Sequence, residues 1–544
     1  MADPLPTQWQ SAKAEFNTWF YLALPAALTI MFNCSLTLTD ASVLGHLSSD
    51  DIYPNATSTD FLAAVSLGYS WYYALNIFVF AGSSNAISVL SSRSFGAKNY
   101  LRAAQVYVVG ITCSIFFCIP IGFGIYYTAD VVRLILPATT TDLRYLLIQV
   151  FSRTMLFALP GQTLASCTSN FLNSANVVKA PLLIAIFQAV INLAFNICFV
   201  HGMPSLHIAS YGFRGSPCAT VATNLIGGIA LFLYLLCGKG SKEHEYSKVF
   251  LWRFLSCCNC CSIRNRNQND NTYNNHNNQN SYNRGDNSLI CFDREIFSTY
   301  VGQALPLAIG GAFEEWQIQV VGFFAGALGP VSTATNNGMQ QIFVTLSALN
   351  YGIMTATTIR VGYYLGEGKP NKSKSVTLIA FVTSLCVGSA IGLSLIVLRN
   401  QMGYLFSNDI RVVELSSTLC WIVGPTYVLL SVFFVSVATL QGQGRSTALA
   451  VCFLIGAWLV SVPLAWYLTF DLNLDLIGIW YGLVGGYSVI MILTCVAIYK
   501  SKWQELSNQA VKENEKPILK ENETSNDEDL LNLRNERMLV EPLL

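Results

Sequence analysis

Three side-chain amides, Gln188, Asn192 and Asn196, recur every fourth residue in the apolar run IAIFQAVINLAFNICF. On a helix that spacing stacks them along one face. Such a stripe either joins two helices by hydrogen bonds or walls a wet cavity. A carboxylate at similar depth on a neighbouring helix favours the cavity, and Asp40 in SLTLTDASVLGHL can supply it. Asp40 follows a stretch, Phe16 to Thr39, that holds no Asp, Glu, Lys or Arg. Burial penalises a charged carboxylate and amide donors favour it, so an acid in that setting can take up and release a proton or hold a small cation. The alternative is an acid at the outer membrane interface, because Asp40 lies roughly 27 Å along a helix from Leu22. Pro25, in the same run, permits a bend.

A second set lies in AFEEWQIQVV. Glu314 and Glu315 are adjacent and point roughly 100° apart on a helix. They are therefore expected on different faces, one in a central cleft and one against a polar neighbour. Trp316 offers a π-face to an organic cation. Asn336, Asn337, Gln340 and Gln341 are dense for an apolar helix. The candidate cargo-binding residues are Glu314, Glu315, Trp316, Gln341 and Gln188. No metal cluster or nucleophile triad can be assembled, and the histidines (His46, His201, His207, His244, His276) avoid span centres. Enzymatic chemistry and a resident cofactor are not expected.

The elements that must carry these residues are membrane helices. The 544 residues are 53% hydrophobic and 11% charged, with mean hydropathy +0.44. Soluble domains carry about 25% charged residues. Continuous apolar runs, not alternating ones, exclude a β-barrel. The expected spans are 17–46, 61–90, 103–128, 145–172, 180–202, 214–237, 296–325, 329–359, 374–398, 411–440, 447–470 and 475–499. The fold class is thus all-α integral membrane, with twelve transmembrane helices in two six-helix lobes. The divisions are an N-terminal cytosolic segment (1–16), an N-lobe (17–237), a cytosolic loop (238–295), a C-lobe (296–499) and an acidic tail (500–544).

The halves repeat each other. LALPAALTIMF (22–32) returns as QALPLAIGGAF (303–313), an offset of 281 residues, and SFGAKNYLRAAQV (94–106) returns as YLGEGKPNKSKSV (364–376), an offset of 270. Parallel six-span repeats imply a pseudo-twofold axis along the membrane normal, with the cargo site between the lobes. Connectors after even-numbered spans carry Arg93, Lys98, Arg102, Lys179, Arg360, Lys369, Lys372, Lys374 and Arg445. That bias places them, and both termini, in the cytosol. The sequon at Asn55 then faces outward or lumenally as a candidate glycosylation site.

The 238–295 loop is Asn-rich and reads as disordered. The cluster Cys257, Cys258, Cys260 and Cys261 beside it is a candidate for palmitoylation. Most other cysteines lie in apolar runs as small hydrophobes, so no disulfide framework is expected. The tail reads as solvated, with EDLL and EPLL as sorting-signal candidates.

Taken in order along the chain, the pieces DASVLGHL, SFGAKN, RTMLFALPGQ, NLAFN, ALPLAIGGAFEEW, IRVGYYLGEGK and LQGQG resemble the multidrug and toxic compound extrusion family of cation-coupled antiporters, over about residues 15–500. The resemblance implies a coupling site in the N-lobe: Asp40 on the first helix, Asn192 and Asn196 on the fifth, and Thr220 on the sixth. It departs from the prokaryotic branch at Asn196, where an aspartate stands, which weakens a Na⁺ site with two carboxylates and favours H⁺. Eukaryotic members concentrate glutamates in the C-lobe. Glu314 resembles the first of them, whereas Gln319, Gln341 and Leu430 replace others. The expected function is export of organic cations in exchange for H⁺ by alternating access, with Na⁺ coupling as the variant. A lipid-linked head-group flippase fits less well, since the mid-membrane charges apart from Arg153 are acidic. A non-transporting receptor or scaffold leaves the repeat unexplained. The expected partners are small organic cations and the bilayer, with no nucleic acid, in a monomer of the plasma membrane or an endomembrane such as endosome or vacuole.

Overall fold

Local signals set the helix ends. Thr57 and Asp60 form a reciprocal capping box that starts α2 (Ser58–Ile77). Pro330 and Pro370 open their helices at the first turn, where a missing N–H costs nothing. In the computed structural model, which describes residues 8–47, 52–135, 141–202, 209–237, 294–407 and 409–515, every regular element among the described residues is a helix. The Cys257, Cys258, Cys260 and Cys261 cluster, the Asn-rich run and both tail motifs lie outside the described residues. Every described cysteine is a free thiol.

The N-terminal half holds α1 (Gln8–Gly45) and α2, which runs through a π-helical stretch (Phe78–Ser84) into α3 (Asn85–Gly96). Then come α4 (Tyr100–Tyr126), α5 (Thr128–Ile135), α6 (Asp142–Met155), α7 (Ala158–Ser174), α8 (Lys179–His201) and α9 (Gly215–Cys237). The C-terminal half holds α10 (Arg294–Ala327), α11 (Pro330–Gly366), α12 (Pro370–Val397), α13 (Ile410–Gly442) and α14 (Ser446–Phe453), which continues through π and α turns to Asp471. It ends with α15 (Asp475–Tyr499) and α16 (Trp503–Glu515).

Eleven helices among the described residues are long and apolar enough to cross a membrane. The remaining expected span, the fourth at 145–172, is broken between α6 and α7 at Leu156 and Phe157. Pro160 explains the break, because it has no N–H for the carbonyl of residue 156 and its ring clashes there. α1 instead runs unbroken through Pro25.

Two further expectations change. Arg93 and Arg360 do not sit in connectors: both lie inside helices and are buried, because α3 runs past the expected end at 90 to Gly96 and α11 past 359 to Gly366. Arg360 grips both carboxylate oxygens of Glu15 on α1 at 2.8 Å. Part of the tail is a helix and not solvated chain, since Trp503, Ser507, Ala510 and Asn514 give α16 a buried stripe. α16 touches both halves, with Asn514 accepting from Ser94 Oγ at 2.9 Å and Ser507 Oγ donating to Leu365 O at 3.0 Å.

The pseudo-twofold axis is visible in reciprocal contacts. A Cβ on Gly96 would lie 1.9 Å from Tyr363 O, and one on Gly366 would lie 2.0 Å from Arg93 O. Shifting 93 and 96 by 270 gives 363 and 366, so the two contacts are one contact seen from each half. Likewise Gly82 packs on Ala304 and Ala308, and Gly352 packs on Ala23 and Ala27, related by the offsets 270 and 281. Small residues let these backbones approach. The contacts joining the halves run from the Arg-rich end to Gly352 and to Trp316, whose Nε1 donates to Ala74 O at 2.9 Å.

Candidate functional site

Asp40, near the end of α1, is fully buried (0% exposed). Asn196 Nδ2 on α8 donates to its Oδ1 at 2.8 Å, and Thr220 Oγ1 on α9 donates to its Oδ2 at 2.6 Å. The Tyr69 hydroxyl on α2 donates to the same Oδ2. Four helices of one half therefore meet on a single carboxylate. Asn192 Nδ2 donates to Thr220 Oγ1 at 3.1 Å, so it acts one bond away. Among the described residues no basic side chain pairs with Asp40.

The amide stripe splits in two. Asn192 and Asn196 serve the acid, while Gln188 is wedged between α8 and α9, its Nε2 donating to Thr223 O at 3.4 Å and its side chain pressed on Gly227. Gln188 holds helices together and lies outside the large cavity of the other half. Tyr69 is the partner that the sequence reading missed. Its one visible signal is the polar-tipped cluster YSWYYALN, which reads equally well as an aromatic packing face. Nearby, Tyr72 and Asn76 both donate to Gln162 Oε1, tying α2 to α7.

A charged Asp40 accepts all three donors. A neutral acid carries a proton that it must donate, so one hydroxyl has to turn or the Asn196 amide has to flip. Acceptors for that exchange are at hand, since Asn192 Oδ1 and Asn196 Oδ1 are buried without a partner. Gain or loss of one proton thus rewires the bonds that tie α1 to α2, α8 and α9.

The second site is a cavity of about 110 Å³ lined by α10, α11, α13 and α15. Both Glu314 and Glu315 line it, where only one was expected in the cleft, and Glu315 also meets a polar neighbour as expected. Gln319 Nε2 donates to Glu315 Oε1 at 3.0 Å. Gln340 and Leu430 line the cavity, whereas Gln341 is exposed on α11 and Trp316 is turned into the seam between the halves. The aromatic wall is instead Phe343, Tyr351, Phe434, Trp480 and Tyr487. Two carboxylates, a ring of π-faces and no basic lining residue make a container suited to a cation with apolar bulk. Asn55 is exposed in the turn before α2.

Known proteins share this architecture. The family model described as MatE matches residues 25–198 and 306–467, one stretch in each half. Multidrug and toxin extrusion protein 1 of Xenopus tropicalis is 24% identical over 507 residues, covering 92% of this chain and 76% of that protein. Multidrug and toxin extrusion protein 2 of Mus musculus is 23% identical over 494 residues, covering 90% of this chain and 75% of that one. The crystal structure of the eukaryotic MATE transporter AtDTX14 superposes with a TM-score of 0.76 at 18% identity, over 92% of this chain and 99% of that chain. A MOP superfamily transporter from Pyrococcus furiosus superposes with a TM-score of 0.71 at 17% identity, over 92% and 97%. Since the family match takes in both halves of the repeat and most of the chain, this multi-pass membrane protein belongs to the MatE family, whose members are transporters and not enzymes.

Proposed function

We propose that the chain exports organic cations in exchange for H⁺, with Asp40 as the coupling group and the cavity at Glu314 and Glu315 as the cargo site. The observation that carries this reading is the buried Asp40 carboxylate, held by donors from three other helices without a counter-cation. Cargo and proton then compete through charge. A protein with its acids ionised attracts the cation into the cavity, and protonation from the outside or lumen rewires the Asp40 bonds and favours release. Such coupling works only through different affinities for the two states. A membrane potential adds about 2.3 kcal/mol per charge per 100 mV.

The Arg-rich end is assigned to the cytosol by its basic residues, so the contacts at that end close the cytosolic entrance. The transporting unit spans residues 17–237 and 296–499, works as a monomer without a cofactor, and resides in the plasma membrane or an endomembrane. Na⁺ coupling is the second reading, favoured by the unpartnered Asn192 Oδ1 and Asn196 Oδ1 beside the carboxylate, which are hard oxygen ligands. Proteoliposomes with separately imposed pH and Na⁺ gradients and a panel of organic cations test both. Efflux driven by the pH gradient alone supports H⁺. Efflux that needs Na⁺ supports the second reading, and no cation movement under either gradient overturns both.

A further inference from the structure

The polar stripe Tyr145, Gln149 and Arg153 runs down α6 at every fourth residue, from the start of that helix toward its break. Arg153 lies roughly 16 Å along α6 from Asp142, at membrane depth. Its guanidinium stacks on the Tyr126 ring at the end of α4, 4.1 Å from the centroid. Its Nε is buried and has no hydrogen-bond partner. The neighbouring turns are built for lipid, with Phe123, one turn before Tyr126, and Phe157, one turn after Arg153, both more than 60% exposed. α5 caps the crevice: this short helix buries Ala129 and Val132 and leaves Leu134 bare, as a helix lying in the membrane interface does.

The other cations of this corner are already matched. Arg133 pairs with Asp142 at 3.1 Å, Arg144 pairs with Asp60 at 2.9 Å, and the Tyr145 hydroxyl donates to Asp130 at 2.7 Å. Arg153 is the cation left over among the described residues of this corner, with no carboxylate in ion-pair range. A guanidinium in hydrocarbon persists where it finds an anion or a polar opening. On α6 the long arginine side chain leans toward the start of the helix and the interface, where the anion that lipid brings is a head-group phosphate. The planar fork of arginine takes phosphate through two parallel hydrogen bonds.

We propose that the crevice between α4 and α6 binds the phosphate of an anionic phospholipid, with Arg153 as its anchor and Tyr126 and Gln149 as its walls. The site is separate from the cargo cavity, which lies in the other half.

The test is native mass spectrometry of the full-length protein titrated with phosphatidylglycerol or phosphatidylcholine. Phosphatidylcholine carries the same phosphodiester but sets its own choline cation beside it, so a guanidinium without a counter-charge predicts about tenfold preference for phosphatidylglycerol in the wild type. Arg153→Gln should reduce that preference to within about twofold, Arg153→Lys should keep part of it, and Arg133→Gln should leave it unchanged. If Arg153→Gln does not fold, the wild-type preference and the Arg153→Lys measurement still decide. A wild type with no preference overturns the proposal, and so does equal preference in every variant. Displacement of the lipid by inorganic phosphate at equal concentration would also overturn it, by showing a site for free anions and not for lipid.

Discussion

Adding one methyl group at Gly96 tests how the halves are joined. Its Cβ would stand 1.9 Å from Tyr363 O, where a carbon and a carbonyl oxygen normally keep about 3.3 Å. The α3 and α11 backbones must therefore part by about 1.4 Å at the Arg-rich end. Neither side can yield by a rotamer change, because the atom in the way is backbone. Overpacking of this kind costs about 1–3 kcal/mol, which is about 5- to 150-fold in the balance between a closed and an open seam. Hydrogen–deuterium exchange across residues 92–99 and 362–369 reads that balance. Gly96→Ala should raise exchange in both segments, including the one it does not belong to. Gly366→Ala, the pseudo-twofold mate, should raise the same two segments to a similar extent. Gly322→Ala, with nothing within 4 Å of the new methyl, should change neither. Unchanged exchange in both seam variants would refute the reciprocal contact, and a response in only one of them would refute its symmetry.

Three further outcomes follow from named contacts. Tyr69→Phe removes one of three donors to Asp40, a charged hydrogen bond of about 1.5–3 kcal/mol, so pH-driven efflux should fall about tenfold or more while the protein still purifies as a folded species. Undiminished efflux would remove Tyr69 from the coupling site. Glu314→Gln with Glu315→Gln should raise KM for organic cations and leave that for neutral solutes unchanged, measured by uptake into vesicles. Glu15→Gln leaves Arg360 buried without its counter-charge, a loss of about 3 kcal/mol that should lower the melting temperature in detergent by several degrees. A melting curve that overlays the wild type would mean the pair adds nothing.

Much of this arrangement is written in the chain. Apolar runs mark the spans, and the stripe marks Asn192 and Asn196 beside the acid, because helical periodicity is a local property, though the same stripe includes Gln188, which serves helix packing. The fourth span reads as continuous helix in the sequence: Pro160 stands in RTMLFALPGQ, but Pro25, Pro120 and Pro306 lie inside unbroken helices, so a proline alone does not mark a break. The π-helical stretch at Phe78–Ser84 was not legible. It holds Gly82, and the packing of Gly82 on Ala304 and Ala308 is a contact between distant parts of the chain. Tyr69 was hidden for a similar reason, since only the fold brings its hydroxyl to Asp40. The two glutamates were assigned to different faces, roughly 100° apart, from helix geometry alone, which cannot give the width of the cavity they border. Trp316 has the composition of a cation site, yet its indole nitrogen is spent on Ala74 O.

The account stands on competition between a proton at Asp40 and a cation in the cavity. Purified protein in weakly buffered detergent solution, mixed with a saturating organic cation and a pH indicator dye, reads that competition in one step. The wild type should release protons as the cation binds, and Asp40→Asn should bind the cation while releasing measurably fewer. Equal proton release from the two proteins, at equal cation occupancy, would contradict the assignment of Asp40 as the coupling group.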